Sequence, residues 1–246
     1  MDSNKTIDIN ADLGEGAGQD FKIMPLISSC NIACGGHAGD KESMNETIDL
    51  AQKNQVKVGA HPSYPDKENF GRVELQMRKI DLIDSLQRQI STFYELALAK
   101  NTTVHHIKAH GALYNKLAHD ESTAEVFLTA ISRLAIHPIL YVPFNSVVYH
   151  LAKVKFHCKV EAFIDRAYNK DLSLVSRDNP EGLLKTPKKA WEQLYGMIML
   201  GEVTTIQNDK IALEGETFCI HGDHPNAVEI LNYIHRKLEI HQINLK

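Results

Sequence analysis

Short apolar runs alternate with longer amphipathic segments along the chain. The runs at 6–13 (TIDINADL), 28–35 (SSCNIACG), 56–61 (VKVGAH), 103–110 (TVHHIKAH), 137–143 (HPILYVP), 159–164 (KVEAFI) and 217–223 (TFCIHGD) have the length and composition of strands. Helical periodicity separates them. Met44, Ile48 and Ala51 recur at helical spacing behind Asp40, a suitable N-cap. Ile83, Leu86, Ile90, Phe93 and Ala97 form a longer stripe starting near Asp81, and Ala227, Leu231, Ile234 and Leu238 form another behind Pro225. Regular alternation of strand and helix predicts an α/β protein with a parallel sheet, either doubly wound or closed as a barrel. About seven units fill the length, so one domain over 1–246 is expected. Two connections, 62–77 and 165–185, are long enough to be binding loops, and 201–213 reads as a hairpin turning at Asn208-Asp209.

Composition narrows the partners. A net charge of -4 leaves no basic footprint for nucleic acid, and no apolar run approaches the ~18 residues of a membrane span. The opening stretch 1–16 has neither a basic nor an apolar leader segment, so no signal peptide is expected. Cys30, Cys34, Cys158 and Cys219 have no CxxC spacing; they read as reduced thiols of a cytoplasmic protein. No P-loop pattern occurs, and no GxGxxG follows a strand.

Polar residues gather where the predicted strands end. They are Asn10, Asp12 and Glu15; Asn31, His37 and Asp40; His61; Lys108 and His110; Asp165 and Arg166; His221 and Asp223. In parallel α/β sheets and barrels that edge binds ligands. Alternation along 103–110 puts Val104, His106, Lys108 and His110 on one face and His105 on the other. In a barrel the first face points inward, where a lysine needs an anionic partner. Plainer readings stand beside these. Asp40 suits the N-cap of its helix, His37 could bond a backbone carbonyl, and Cys30 and Cys34 suit small buried hydrophobes. Cys219 alternates with His221, which could bring its thiol near the site. His150, His157, His224, His235 and His241 fall at surface or packing positions. Several carboxylates, several imidazoles and a lysine suit general acid–base hydrolysis, or a metal that activates water.

The motifs IDINADLGEG, NIACGGHAGD, VGAHPSYPDKENFGR, IKAHGALYN, EAFIDRAY and CIHGDHPNA, in this order, resemble the LamB/YcsF family from about residue 7 to the C-terminal helix. The resemblance implies a seven-stranded (β/α) barrel similar in shape to sugar deacetylase barrels. It also implies an ATP-dependent cyclic amide hydrolase that opens 5-oxoproline to glutamate, with separate B and C subunits contributing the nucleotide-dependent activation. Carried over by position, Asp12, His61, Lys108 and His110 are the expected catalytic set. Glu15, His37, Asp40, Arg72, Arg166, His221 and Asp223 are expected to bind substrate. A histidine, His61 or His110, oriented by Asp12 is the expected base, and His221 beside Asp223 the acid. No metal is assigned to this set, and metal dependence stays open. The alternatives are a metal-dependent deacetylase or amidohydrolase acting alone, with Asp12, His61 and His110 as ligands, and a non-catalytic substrate-binding subunit. Gly36 and Ala109 depart from the family's usual aromatic and proline, and the stretch after Glu15 is shorter; all three changes are expected at the pocket rim.

Overall fold

The architecture is that of a computed structural model describing residues 5–246. The first four residues, part of the opening stretch read above for a leader, lie outside it. The strands are β1 (Thr6–Ile7), β2 (Ile9–Leu13), β3 (Ser29–Ala33), β4 (Lys57–His61), β5 (Val104–Lys108), β6 (Ile139–Pro143), β7 (Cys158–Phe163), β8 (Glu202–Thr204), β9 (Lys210–Ala212), β10 (Thr217–His221) and β11 (Asn244–Leu245). The helices are α1 (Asp20–Ile23), α2 (Lys41–Asn54), α3 (Lys79–Ala99), α4 (Gly111–Leu117), α5 (Glu121–Ser132), α6 (Val147–Ala152), α7 (Pro187–Leu200) and α8 (Ala227–Ile240). Strands β10, β2, β3, β4, β5, β6 and β7 pair in that order, all parallel, and close into a barrel. Of the two architectures open to an alternating pattern, the closed one is realised. None of the described helices is long and apolar enough to cross a membrane.

The first predicted strand is in fact two. β1 pairs with β11 outside the barrel, and the barrel strand begins at Ile9. The hairpin at 201–213 forms as β8 and β9, with Asn208 in the left-handed region. Helix α8 starts at Ala227 with Asn226 at its N-cap, so Pro225 sits just outside the first turn. The apolar stripes of α2, α3 and α8 are buried, those of α2 and α3 against the outer wall of the barrel. That burial is what keeps such helices folded in a protein.

Barrels of this type are usually filled with branched apolar side chains. The interior here is polar and hydrogen-bonded. At its base Ser29 and Thr217 donate to Asp8 Oδ1 at 2.9 and 2.8 Å. One layer up, Asn31 Nδ2 donates to Asn10 Oδ1 (2.7 Å), and the His106 Nε2–H donates to Asn31 Oδ1 (2.7 Å). Asn31 Nδ2 also reaches Asp12 Oδ1 at 2.8 Å, which ties this floor to the site above.

Gly59 makes room for that floor. The His106 ring, stacked on Tyr141 at 3.9 Å, occupies the space a side chain on residue 59 would fill. A Cβ there would lie 2.2 Å from His106 Nε2. Gly59→Ala therefore displaces the ring and breaks its bond to Asn31. The expected cost is about 1–3 kcal/mol, read as a lower urea midpoint with an unchanged m-value.

Candidate active site

The C-terminal ends of the barrel strands form the rim of a cavity of about 420 Å³. Asp12, His61, Arg72, Lys108, His110, Tyr114, Phe163, Arg166, Arg177 and His221 contribute to its wall. A second cavity of about 380 Å³ adjoins it across Tyr114 and Phe163; Glu161 lines it, and none of His37, His61 and His110 does.

At the floor, Lys108 Nζ donates to Asp12 Oδ1 at 2.8 Å and to Cys219 Sγ at 3.0 Å, and lies 3.0 Å from Glu161 Oε1. Lys108, Asp12 and Glu161 are all buried. Burial alone would raise the Asp12 carboxyl, but Lys108 and His61 hold it well below the usual carboxylate range. Burial would likewise lower the Lys108 ammonium, yet Asp12, Cys219 and Glu161 lift it well above its ordinary value. Lys108 is thus a fixed cation. Asp12 is a fixed anion whose Oδ1 is taken by Lys108 and Asn31, while Oδ2 faces His61 Nε2 at 3.5 Å.

Beside it lies an imidazole cluster. His37, from the Gly35–Gly39 turn after β3, stacks on His110 at 3.6 Å, and the His61 ring stands edge-on to both. Gly71 covers the stack: with φ +63 it occupies a conformation that favours glycine, and a Cβ there would meet His37 Cβ at 2.8 Å. Glu15 Oε1 lies 3.0 Å from His37 Nε2, 3.4 Å from His110 Nδ1 and 3.8 Å from His61 Nε2. One ligand atom from each of Glu15, His37, His61 and His110 falls within 4.8 Å of the others. Among the described residues, these four, and not Asp12, His61 and His110, are the set that gathers donor atoms for a metal. Burial, reinforced by Asp12 and Asp223, lifts the Glu15 carboxyl well above its usual range. Burial, then His61, takes His37 down to about 2, and burial with His37 and His61 holds His110 well below the imidazole range.

At the mouth, Asp223 is held between Arg177 (2.9 Å) and Arg72. His221 is oriented differently from the sequence expectation: its Nδ1 faces Asp165 at 3.0 Å, not Asp223, and its Nε2 has no hydrogen-bond partner among the described residues. Arg166 lies at the cavity wall, but its guanidinium donates to the carbonyls of Val175 and Gly182, so it braces the 165–185 loop. Asp40 does not join the site. It is exposed, accepts from the Ser43 amide at 2.9 Å and closes a capping box on α2. Gly36 is also away from the rim: a Cβ there would meet Gln89 and Ser63 at 2.4 Å, so the buried Gln89 side chain fills the space an aromatic would need. Ala109 does line the cavity.

Three contributors are poorly marked in the sequence. Glu161 shares the inward parity of Phe163 on β7, and that alternation is the one signal for it. Asp165 continues the same parity, but reads from sequence only as a strand-end acid. Arg177 lies in an irregular loop with no pattern to mark it.

A closed parallel barrel whose C-terminal mouth holds buried imidazoles and carboxylates defines a class of α/β-barrel protein with an acid–base or metal-capable centre. Within it the chain belongs to the LamB/YcsF family, whose model matches residues 7–246. It is 38% identical over 239 residues to the 5-oxoprolinase A subunit of Pyrococcus furiosus, covering 95% of this chain and 94% of that one. It is 36% identical over 247 residues to the protein of the same name from Bacillus cereus strain Q1, covering 98% of each. Among solved structures, the lactam utilization protein of Thermus thermophilus superposes with a TM-score of 0.90 at 33% identity, covering 98% of this chain and 99% of that one. A family 4 carbohydrate esterase from Streptomyces lividans shares the fold, with a TM-score of 0.52 at 8% identity over 99% of this chain and 93% of its own.

The Asp165–His221 pair makes a pH prediction. Burial opposes ionisation of Asp165, but His221 overcomes it and brings the carboxyl from 3.8 to about 2. Between those values the unfolded chain binds more protons than the folded one, so this group's stabilisation falls as pH drops. Wild type should exceed Asp165→Asn by about 2 kcal/mol at neutral pH, with the gap closing from about pH 4 down to pH 2. Urea midpoints measured across that range check it; a gap that stays constant with pH contradicts it.

Proposed function

We propose that this chain is the A subunit of a cytoplasmic, ATP-dependent 5-oxoprolinase, hydrolysing 5-oxoproline to glutamate together with separate B and C subunits. The observation that carries the reading is near-full-length similarity to proteins named as the A subunit of 5-oxoprolinase, joined to a cavity floored by a carboxylate held ionised. The lactam is a stable amide, and phosphorylation of its oxygen by ATP, handled with the partner subunits, turns its carbonyl carbon into a better electrophile. Water then adds to that carbon, the ring C–N bond breaks as the nitrogen takes up a proton, and the acyl phosphate so formed is hydrolysed by a second water to glutamate and inorganic phosphate.

On the geometry we assign the roles within the chain differently from the sequence expectation. Both ring nitrogens of His61 and of His110 are already engaged, by backbone carbonyls and by each other. Among the described residues, Asp12 Oδ2 has no hydrogen-bond donor closer than His61 at 3.5 Å, and we assign it, as a fixed anion, to hydrogen-bond and orient the attacking water. Lys108, fixed by Asp12 and Glu161, places positive charge beneath the oxygen that becomes negative. His221, steadied by Asp165, presents Nε2 for protonation of the leaving nitrogen. Arg72, partly exposed at the mouth, receives the substrate carboxylate.

Reconstitution tests this. The chain, its B and C partners, ATP and 5-oxoproline should yield glutamate only when all are present. Asp12→Asn should lower kcat by at least ~100-fold, and Arg72→Ala should raise KM for 5-oxoproline with a smaller effect on kcat. A complete mixture of folded proteins that makes no glutamate overturns the assignment. Full turnover with Asp12→Asn and Lys108→Ala would leave the chain a delivery subunit only.

A further inference from the structure

The contact between His61 and His110 is one proton short. His61 Nδ1 lies 2.8 Å from the Lys108 carbonyl oxygen, His61 Nε2 lies 3.0 Å from His110 Nδ1, and His110 Nε2 lies 3.0 Å from the Phe70 carbonyl oxygen. A carbonyl oxygen only accepts, so each outer contact requires an N–H on its ring. Two neutral imidazoles carry two protons between them, and both are then directed outward. The inner nitrogens face each other as two lone pairs. Reversing either tautomer moves the mismatch to a carbonyl without removing it. A third proton would make one of the two rings an imidazolium.

A metal ion resolves the mismatch without that proton. We propose that Glu15, His37, His61 and His110 bind one divalent first-row transition metal ion, of the zinc class, in the wall of the cavity. Three imidazole nitrogens and a carboxylate oxygen are the donors that such ions favour. Metal–ligand bonds of about 2.0–2.1 Å in a tetrahedron set ligand–ligand edges near ~3.4 Å. Four of the edges in this cluster measure 3.0, 3.0, 3.4 and 3.8 Å, and every donor pair lies within 4.8 Å. The outer bonds fit as well: metal-ligating histidines almost always donate their other N–H to a carbonyl or carboxylate, as His61 and His110 do. His37 has no such brace among the described residues, since its buried Nδ1 finds no partner there, and it is the least firmly held of the three rings. Because His61 and His110 also line the cavity, the ion borders it, beside Asp12 Oδ2. A cation there supplies Lewis-acid polarisation of a ligand carbonyl or phosphoryl oxygen, or acidification of water. The inference rests on the donor geometry and not on the lactam reaction, so each can fail without the other.

The test uses the full chain alone. After dialysis against a chelator, Zn(II), Co(II) and Mn(II) are titrated separately, with bound metal counted by elemental analysis. One equivalent of Zn(II) or Co(II) per chain is expected at micromolar free metal, with visible Co(II) absorption of a four-coordinate ion. His61→Ala and His110→Ala should each weaken binding at least tenfold, Glu15→Gln and His37→Ala should weaken it by less, and His105→Ala should leave it unchanged. Should the cluster variants fail to fold, X-ray absorption of the Zn(II)-loaded wild type decides, with three imidazole nitrogens at about 2.0–2.1 Å expected. No retained metal, fewer than three imidazoles, or binding weakened less than tenfold in His61→Ala and His110→Ala overturns the site.

Discussion

A lysine at the centre of a closed barrel has to be neutralised, and much of this site follows from how that is done. Lys108 is surrounded by Asp12 on β2, Glu161 on β7 and the Cys219 thiol on β10. These groups come from strands far apart in sequence that only barrel closure brings together. Two charges removed from water cost more than their attraction returns unless further hydrogen bonds complete the arrangement. For Asp12, Asn31 and the ladder beneath it supply them. The polar filling of the barrel is therefore the support of the ion cluster. Deleting the ammonium would strand two buried carboxylates, a loss of about 3–5 kcal/mol where one partner of a buried pair is removed.

The same arrangement separates two neighbouring chemistries. On the Lys108 side charges are fixed: Asp12 is anionic and the lysine is cationic. On the His37–His110 side burial suppresses charge on both those rings and on Glu15. Asp12 Oδ2 and His61 Nε2, 3.5 Å apart, form the seam. One half resembles a preorganised electrostatic floor, the other a set of neutral donors awaiting a cation.

Much of this was legible in the sequence, for a physical reason. The period-two alternation of a strand forces His106 and Lys108 to one face, and parallel strands put their functional ends at one rim. So the barrel, the inward lysine and most of the rim residues could be read from pattern. What escaped depends on partners chosen in three dimensions. His221 has Asp223 two residues away but bonds to Asp165, because pairing of β10 with β7 brings that carboxylate alongside. Asp40 stands in a motif beside the glycine turn, yet local backbone geometry claims its carboxylate for the first turn of α2. Gly36 departs from an aromatic, and only the position of Gln89 on α3 explains what fills the space. Glu161 was hidden among apolar neighbours on a strand whose charges were sought at its end.

The hydrogen-bonded base of the barrel has a consequence for traffic. With Asp8, Asn10, Ser29, Asn31 and Thr217 all sealed from solvent, the well is closed at its bottom. A small molecule therefore comes to the floor and goes from it on the rim side alone, past Arg72 and Arg177 or by way of the adjoining cavity beside Tyr114 and Phe163.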